Sequence, residues 1–465
     1  MFLTVFPQFV PSYLLSNRNF AYNLISYTKH SLIMSPIFLH IDGNSFYCSC
    51  ERIFRPDIRR KPVVVLSNND GCIVALTKEA KDLGLKRGTP LFKVRDIVTQ
   101  DKIAVFSSNY ELYNSISGRM QRIIAAMIPR MESYSIDEVF GDLTGVENGD
   151  PVKLTALVKS IQSRVLQWVG IPTCAGIAPT KTLAKLCDHF AKTYPVFDGV
   201  VNWLEHSESR RKKAMSITPI KEVWGIGNRT REKLEAMGVR TVLDFAEMDA
   251  ALVRRRFGVV LERTHREIFG ISCIPLEEIA PERQQIVRTR SFAQACGDLD
   301  SLRAAVTVHM ADAVRTLRLQ KSAAGSVGVL FHSDPFKTNV PHHAVFELER
   351  LPHACADVLT LTQKAVELVN RYFKPGIDYK KAGVLLSELI PAKDSLVRET
   401  LFDGEEIETL QRRERIQGVL DEMSLKFGKG TLNLASAKVS RQWCMRRDLL
   451  SPCCTTRWDE ILMVS

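Results

Sequence analysis

Three carboxylates in this chain stand where they could hold metal ions. Asp42 ends the apolar run Ile37–Ile41, and Asp137 and Glu138 are adjacent in the segment ESYSIDEVF, Glu132–Phe140. Nucleotidyl transfer requires such a set. Two divalent ions about 3.5–4 Å apart stabilise both the attacking and the leaving oxygen of an in-line displacement. Magnesium takes oxygen ligands and keeps part of its water, so two or three carboxylates suffice when a triphosphate supplies the rest. Carboxylates this close raise one another's pKa in the absence of cations. Any chain of 465 residues carries acidic groups at strand ends, so the set has meaning only through its surroundings.

Strand ends on a rigid sheet would give these groups the placement they need. Ile37–Ile41 reads as a buried strand, and Glu132–Phe140, which alternates in part, reads as a second. Pro62–Leu66 is a β-rich run leading into the turn signal Asn68-Asn69-Asp70-Gly71. Leu154–Val169 and Lys181–Phe190 have helical spacing, with a strand-like run at Cys174–Ala178 between them. This mixed order predicts an α+β domain. From Leu204 to Cys273 the texture becomes short, helical and basic. Beyond it, strands are expected at Ile286–Phe292, Ser326–Phe331 and Ala382–Leu389, with amphipathic helices at Ser301–Leu319 and Ala356–Tyr372. Pro391–Glu406 reads as a polar linker, followed by a helix at Ile407–Met423 and a tail with Trp443, Trp458 and two basic clusters.

Composition narrows the function classes. Lys and Arg total 63 against 52 Asp and Glu, a net charge of +11 that suits a polyanionic partner, nucleic acid before others. The 11 cysteines form no C-x-x-C pairs, which excludes a zinc ribbon and argues against a disulfide framework. Free thiols in a reducing cytoplasm are the expectation. Residues 1–33 are apolar and aromatic, but Pro7 and Pro11 break the run and Asn17, Arg18 and Asn19 interrupt it. With no basic n-region, the segment reads as an N-terminal extension without a fold of its own, ahead of Met34, with a weak membrane-surface anchor as the alternative, and as neither a signal peptide nor a membrane span.

The motifs around the carboxylates are more specific than the carboxylates. Asp42-Gly43-Asn44-Ser45-Phe46-Tyr47 resembles the D-x-N-x-F-Y motif of Y-family DNA polymerases, and Ser135-Ile136-Asp137-Glu138 matches their S-I-D-E motif. Pro62–Leu66 with SNNDGC (Ser67–Cys72), Glu79-Ala80-Lys81 and Gly84 resembles the UmuC branch, the catalytic subunit of DNA polymerase V. So do SSNYELY (Ser107–Tyr113), GIAPTKTLAK (Gly176–Lys185) and VWGIG (Val223–Gly227). The likeness runs in order from about Ile37 to the C-terminus. An inactive scaffold that keeps the fold is disfavoured because all three carboxylates and Tyr47 are present. A nucleic-acid-binding module with incidental carboxylates would explain the charge but not the ordered motifs.

The resemblance implies a multidomain right-hand α+β polymerase. Its expected divisions are an extension (1–33), palm (34–53 and 113–203), fingers (54–112), thumb with a helix-hairpin-helix (204–280), little finger (281–391), and a linker with a UmuC-type C-terminal region (392–465). It implies an error-prone translesion DNA polymerase of the bacterial SOS response, cytoplasmic and nucleoid-associated. Asp42, Asp137 and Glu138 would be catalytic and would hold two Mg2+, or Mn2+, with the Gly43 carbonyl as a further ligand. Tyr47 falls at the steric-gate position, where an aromatic ring blocks a ribose 2′-hydroxyl. Lys81 and Lys192, with Lys78 beside them, would bind the triphosphate as mobile point charges. Lys181 and Lys185 lie at a helix start, where an anion is welcome. Gly225, Gly227 and Lys233 would meet DNA phosphates through backbone N–H groups and charge. Besides primer-template DNA and dNTP, the implied partners are a UmuD′-like dimer and RecA. The clamp-binding motif Q-L-x-L-F is degenerate here: Arg398-Glu399-Thr400-Leu401-Phe402 keeps only its Leu-Phe anchor, so weak sliding-clamp binding is expected.

Overall fold

A computed structural model describes residues 35–279, 281–399, 404–428, 431–437 and 445–461. The extension 1–33, the Leu401–Phe402 anchor, Lys429, Gly430 and Trp443 lie outside the described residues. In chain order the strand β1 (Phe38–Gly43) is followed by helix α1 (Phe46–Ile53), β2 (Val63–Leu66), β3 (Ile73–Leu76), α2 (Lys78–Asp82), α3 (Arg95–Gln100), β4 (Ala104–Ser107) and α4 (Tyr110–Ala125). Next come β5 (Arg130–Ser133), β6 (Glu138–Asp142), α5 (Pro151–Val169), β7 (Thr173–Ala178), α6 (Lys181–Thr193) and β8 (Val200–Asn202). Five short helices follow: α7 (Glu208–Ile217), α8 (Asn228–Ala236), α9 (Val242–Ala246), α10 (Ala250–Phe257) and α11 (Val259–Ile268). The remaining elements are β9 (Ile286–Cys296), α12 (Leu299–Leu319), β10 (Ser322–Ser333), β11 (Ala344–Cys355), α13 (Val358–Tyr372), β12 (Tyr379–Pro391), α14 (Ala392–Glu399) and α15 (Gly404–Phe427).

The chain divides into two compact units. One comprises the residues up to Asp42, Ile123–Arg164 and Thr173–Leu276. Its sheet has the order β5-β6-β1-β7-β8. Strands β1 and β6 run antiparallel, with Asp42 opposite Glu138, and β7 pairs parallel with β8. Both faces of β7 are buried, as expected for a central strand between layers. Helix α6 lies on β7, and one core joins Ala178, Leu183 and Phe190 to Leu234, Phe245 and Leu261 of the short helices. The approach of α6 to the sheet depends on Gly176. A Cβ there would stand 2.0 Å from the Ala184 carbonyl oxygen and 2.5 Å from the Asp188 nitrogen, both backbone atoms that cannot give way.

The other unit comprises Gly43–Arg122, Val165–Pro172 and the residues from Glu277. It holds a small sheet, β3-β2-β4, and a four-stranded antiparallel sheet, β11-β10-β12-β9. In the larger sheet, α12 and α13 bring Leu302, Val306, Met310, Leu361 and Leu368 to the same core as Val327, Phe331 and Val384.

Two expectations need correction. Glu132–Phe140 is not one strand but the hairpin β5–β6, with Asp137 in its turn. The Ser135 hydroxyl oxygen accepts from the backbone N–H groups of Asp137 and Glu138, and the N–H groups of Tyr134 and Ser135 donate to the Glu138 carbonyl. Serine competing for local backbone donors in this way breaks the strand pattern. Pro391–Glu406 is not a linker throughout: α14 occupies Ala392–Glu399, and α15 begins at Gly404. Strand β11 was not foreseen, because Phe346 and Leu348 are exposed while Val345 and Leu351 are buried, so the apolar residues do not mark one face.

Candidate active site

Antiparallel pairing places Asp42 directly across from Glu138, and α6 lays a row of charged side chains against this pair. Lys192 Nζ lies 2.7 Å from Asp42 Oδ1 and 2.6 Å from Asp188 Oδ2. Lys185 Nζ lies 2.9 and 3.0 Å from the two Glu138 oxygens and 4.7 Å from the centre of the Tyr134 ring. His40, fully buried on β1, points Nδ1 at Asp188 Oδ2, 3.6 Å away. Burial holds its imidazole below the usual range, so at neutral pH it adds no charge. Asp137, in the β5–β6 turn, accepts a hydrogen bond of 2.7 Å from the Ser135 hydroxyl.

The electrostatics differ between the two carboxylates of the pair. Burial pushes Asp42 up to about 8; Asp188 adds to the shift, and Lys192 opposes it. The contact of Asp42 with Lys192 has the geometry of a charge-assisted pair. Burial alone would also raise Glu138, but Lys185 outweighs it and holds that carboxyl below its ordinary value. For Lys192 burial works against the charge, yet Asp188 and Asp42 hold the ammonium above its usual range. Among the described residues, no cluster of three or more His, Cys, Asp or Glu side chains stands close enough to hold a metal ion as it is. The carboxylate pair nonetheless fits a hard divalent cation in chemistry, because its donors are carboxylate oxygens.

The other residues singled out in the sequence sit as follows. Gly43 closes β1. Tyr47, half-buried in the first turn of α1, stacks on Tyr113 with ring centres 4.4 Å apart and planes 15° apart. Lys78 and Lys81 are exposed on α2. Gly225 has a φ of 87°, a left-handed turn residue, and Gly227 precedes the first residue of α8 with open space where a Cβ would be. Lys233 is exposed on α8. Lys181 is not available to an anion. It is buried, 2.6 Å from Glu132 Oε2 and 4.6 Å from the centre of the Phe140 ring.

Sequence reasoning missed Asp188, His40 and Trp224. The last donates from Nε1 to the Tyr134 hydroxyl at 3.1 Å and packs 5.6 Å from Phe140. A signal for Asp188 was present. Lys181, Lys185, Asp188 and Lys192 recur at helical spacing, a charged stripe on a helix that is otherwise largely buried.

Comparison with known proteins decides what this arrangement belongs to. The impB/mucB/samB family matches residues 41–189, and its C-terminal domain matches 283–398. A third match, to a domain of unknown function, covers 414–464. Protein ImpB of Salmonella typhimurium is 40% identical over 91% of this chain and 99% of its own length. UmuC of the same species is 39% identical over 92% and 100%. The chain belongs to the UmuC branch of the Y-family DNA polymerases. More distant family members agree: DNA polymerase IV of Moorella thermoacetica is 26% identical over 85% of this chain and 94% of its own. A Dbh–Dpo4–Dbh chimera, itself a Y-family polymerase, superposes with a TM-score of 0.62 at 19% identity, over 76% of this chain and 99% of that one, and so shares the fold. Family membership carries with it a general dependence on divalent metal. No helix among the described residues is long and apolar enough to cross a membrane.

Proposed function

We propose that this chain is an error-prone translesion DNA polymerase of the SOS response, in which Asp42, Asp137 and Glu138 bind two magnesium ions for nucleotide addition. The observation that carries the reading is the cross-strand pair Asp42–Glu138 with two lysine ammonium groups on it, in a chain of this family. When bound, the ions supply positive charge to the attacking 3′-oxygen and the leaving pyrophosphate. The chain's own groups do the rest. Lys192 and Lys185 hold Asp42 and Glu138 by ion pairs, and Lys192 would meet the triphosphate. Ser135 orients Asp137. The Gly43 carbonyl is a further oxygen ligand. Lys81 and Lys78, exposed on α2, meet triphosphate oxygens, and the Tyr47 ring excludes a ribose 2′-hydroxyl. The Gly225–Gly227 turn and Lys233 track the DNA backbone.

In this reading the palm, fingers, thumb and little finger have the boundaries given above. The enzyme works on primer-template DNA in the bacterial cytoplasm, with a UmuD′-like dimer and RecA as partners and with weak sliding-clamp binding. The test is primer extension across an abasic site with magnesium, with and without a UmuD′-type partner and activated RecA. Wild type extends, whereas Asp137→Asn and Asp42→Asn do not, although both bind DNA nearly as well as wild type. Full activity in either variant overturns the assignment.

A further inference from the structure

The SNNDGC and SSNYELY motifs are not used by the chemistry above, and both hold the far end of the chain. Ser107, at the end of the edge strand β4, donates its backbone N–H to the Leu449 carbonyl at 2.9 Å, and its hydroxyl accepts from the Leu449 N–H at 3.0 Å. The C-terminal segment thus pairs with a free sheet edge. Asn69 and Asp70, both with left-handed backbone (φ of 60° and 52°), accept from the N–H groups of Arg446 and Asp448 at 2.9 and 3.0 Å. Asn69 also donates to the Ser291 carbonyl of β9. Fully buried Asn109 donates to the Ser451 carbonyl at 2.9 Å and its hydroxyl at 3.0 Å, while its side-chain oxygen caps α4 at Leu112.

These contacts lead to Tyr47. The Ser451 hydroxyl donates to Glu51 Oε1 at 3.0 Å, and the Tyr113 hydroxyl donates to the same oxygen at 2.6 Å. Glu51 and Tyr113 are both buried, and the Tyr113 ring is the one on which Tyr47 stacks. A buried carboxylate that loses a donor bears the cost of the missing hydrogen bond and shifts to recover it. Any such shift is passed to Tyr113, which holds the same oxygen, and so to the ring above it.

We propose that residues 446–454 are a specificity element: Ser451, acting through Glu51 and Tyr113, holds Tyr47 in position and so sets discrimination against ribonucleotides. Ser451 is a positioning residue and touches no substrate. The proposal rests on the reading of Tyr47 as the sugar gate, and the experiment separates the two.

The experiment measures kcat/KM for a dNTP and the matching rNTP in primer extension by the full chain with its partners, for wild type, Tyr47→Ala, Ser451→Ala, Ser451→Thr and Glu51→Gln. Ser451→Ala is expected to lower the dNTP-to-rNTP ratio by roughly three- to tenfold, the range of one lost hydrogen bond. Ser451→Thr, which keeps the hydroxyl, restores the ratio. Glu51→Gln falls between wild type and Tyr47→Ala. An unchanged ratio in Ser451→Ala beside a lowered one in Tyr47→Ala overturns this proposal and leaves the gate standing. Equal loss of both rates in Ser451→Ala shows a merely structural role and overturns it as well. An unchanged ratio in Tyr47→Ala overturns the gate and this proposal with it.

Discussion

Lys181 and Lys185 are one helical turn apart and do different work. Lys181 is enclosed with Glu132 and the Phe140 ring; Lys185 is partly open and holds Glu138. Removing one partner of a buried ion pair leaves the other charge without compensation, at a cost of about 3–5 kcal/mol. Lys181→Met is therefore expected to lower the urea midpoint followed by tryptophan fluorescence. Lys185→Met should leave that midpoint near wild type and reduce nucleotide addition. Equal midpoints for the two variants would contradict this division of roles. Residue types alone did not distinguish the two lysines, because the difference lies in which strand residues the helix meets. Asp42, Asp137, Glu138 and Tyr47 were singled out from their motifs, and the structure places Asp42 across from Glu138. Asp188 and His40 were not, since a buried polar partner is recognised only once the group it faces is in place.

At the scale of elements, strands and helices with clean periodicity were legible: α5, α6, β7, α12 and α13 all lie within a few residues of their expected bounds. What escaped depends on tertiary position. β11 is an edge strand with apolar side chains on its open face, and the break between β5 and β6 comes from one serine's side-chain hydrogen bonds. Helix α12 carries a further consequence. His309 is buried on it, and burial, with the charge of Arg290 adding, holds the imidazole at about 4. An unfolded histidine titrates near 6.5. As pH falls below that value the unfolded chain takes up the proton first, so stability present above 6.5 drains away toward 4. Between pH 7 and pH 5 the loss is about 2 kcal/mol. The protection factors of α12 amides, which are exchange rates referred to the intrinsic rate at each pH, should fall accordingly over that interval, and His309→Leu should remove most of the change. An acid response that persists in His309→Leu would assign it to another group.

At the scale of the whole molecule, the net charge of +11 should appear as salt-dependent, sequence-indifferent DNA binding. Log K falls by roughly 0.9 per phosphate neutralised for each log unit of salt. Arg254, Arg255 and Arg256 are all exposed at the end of α10. Replacing them together with Ala is expected to flatten that slope, and a wild-type slope near zero would contradict phosphate tracking. In a clamp titration, a peptide of residues 393–406 should bind less tightly than its Arg398→Gln, Glu399→Leu counterpart, because an apolar contact is replaced by a charge; equal affinities would make the degenerate motif inconsequential. The pairing of Asn109 with Ser451 has a consequence in time. The two are 342 residues apart in the chain, and at the usual rate of synthesis the second leaves the ribosome roughly 20–70 s after the first. Until then the buried amide of Asn109 lacks the acceptors that Ser451 provides. A transcript cut short or a late frameshift therefore yields a chain that keeps Asp42, Asp137 and Glu138 but lacks the acceptors of the buried Asn109 amide.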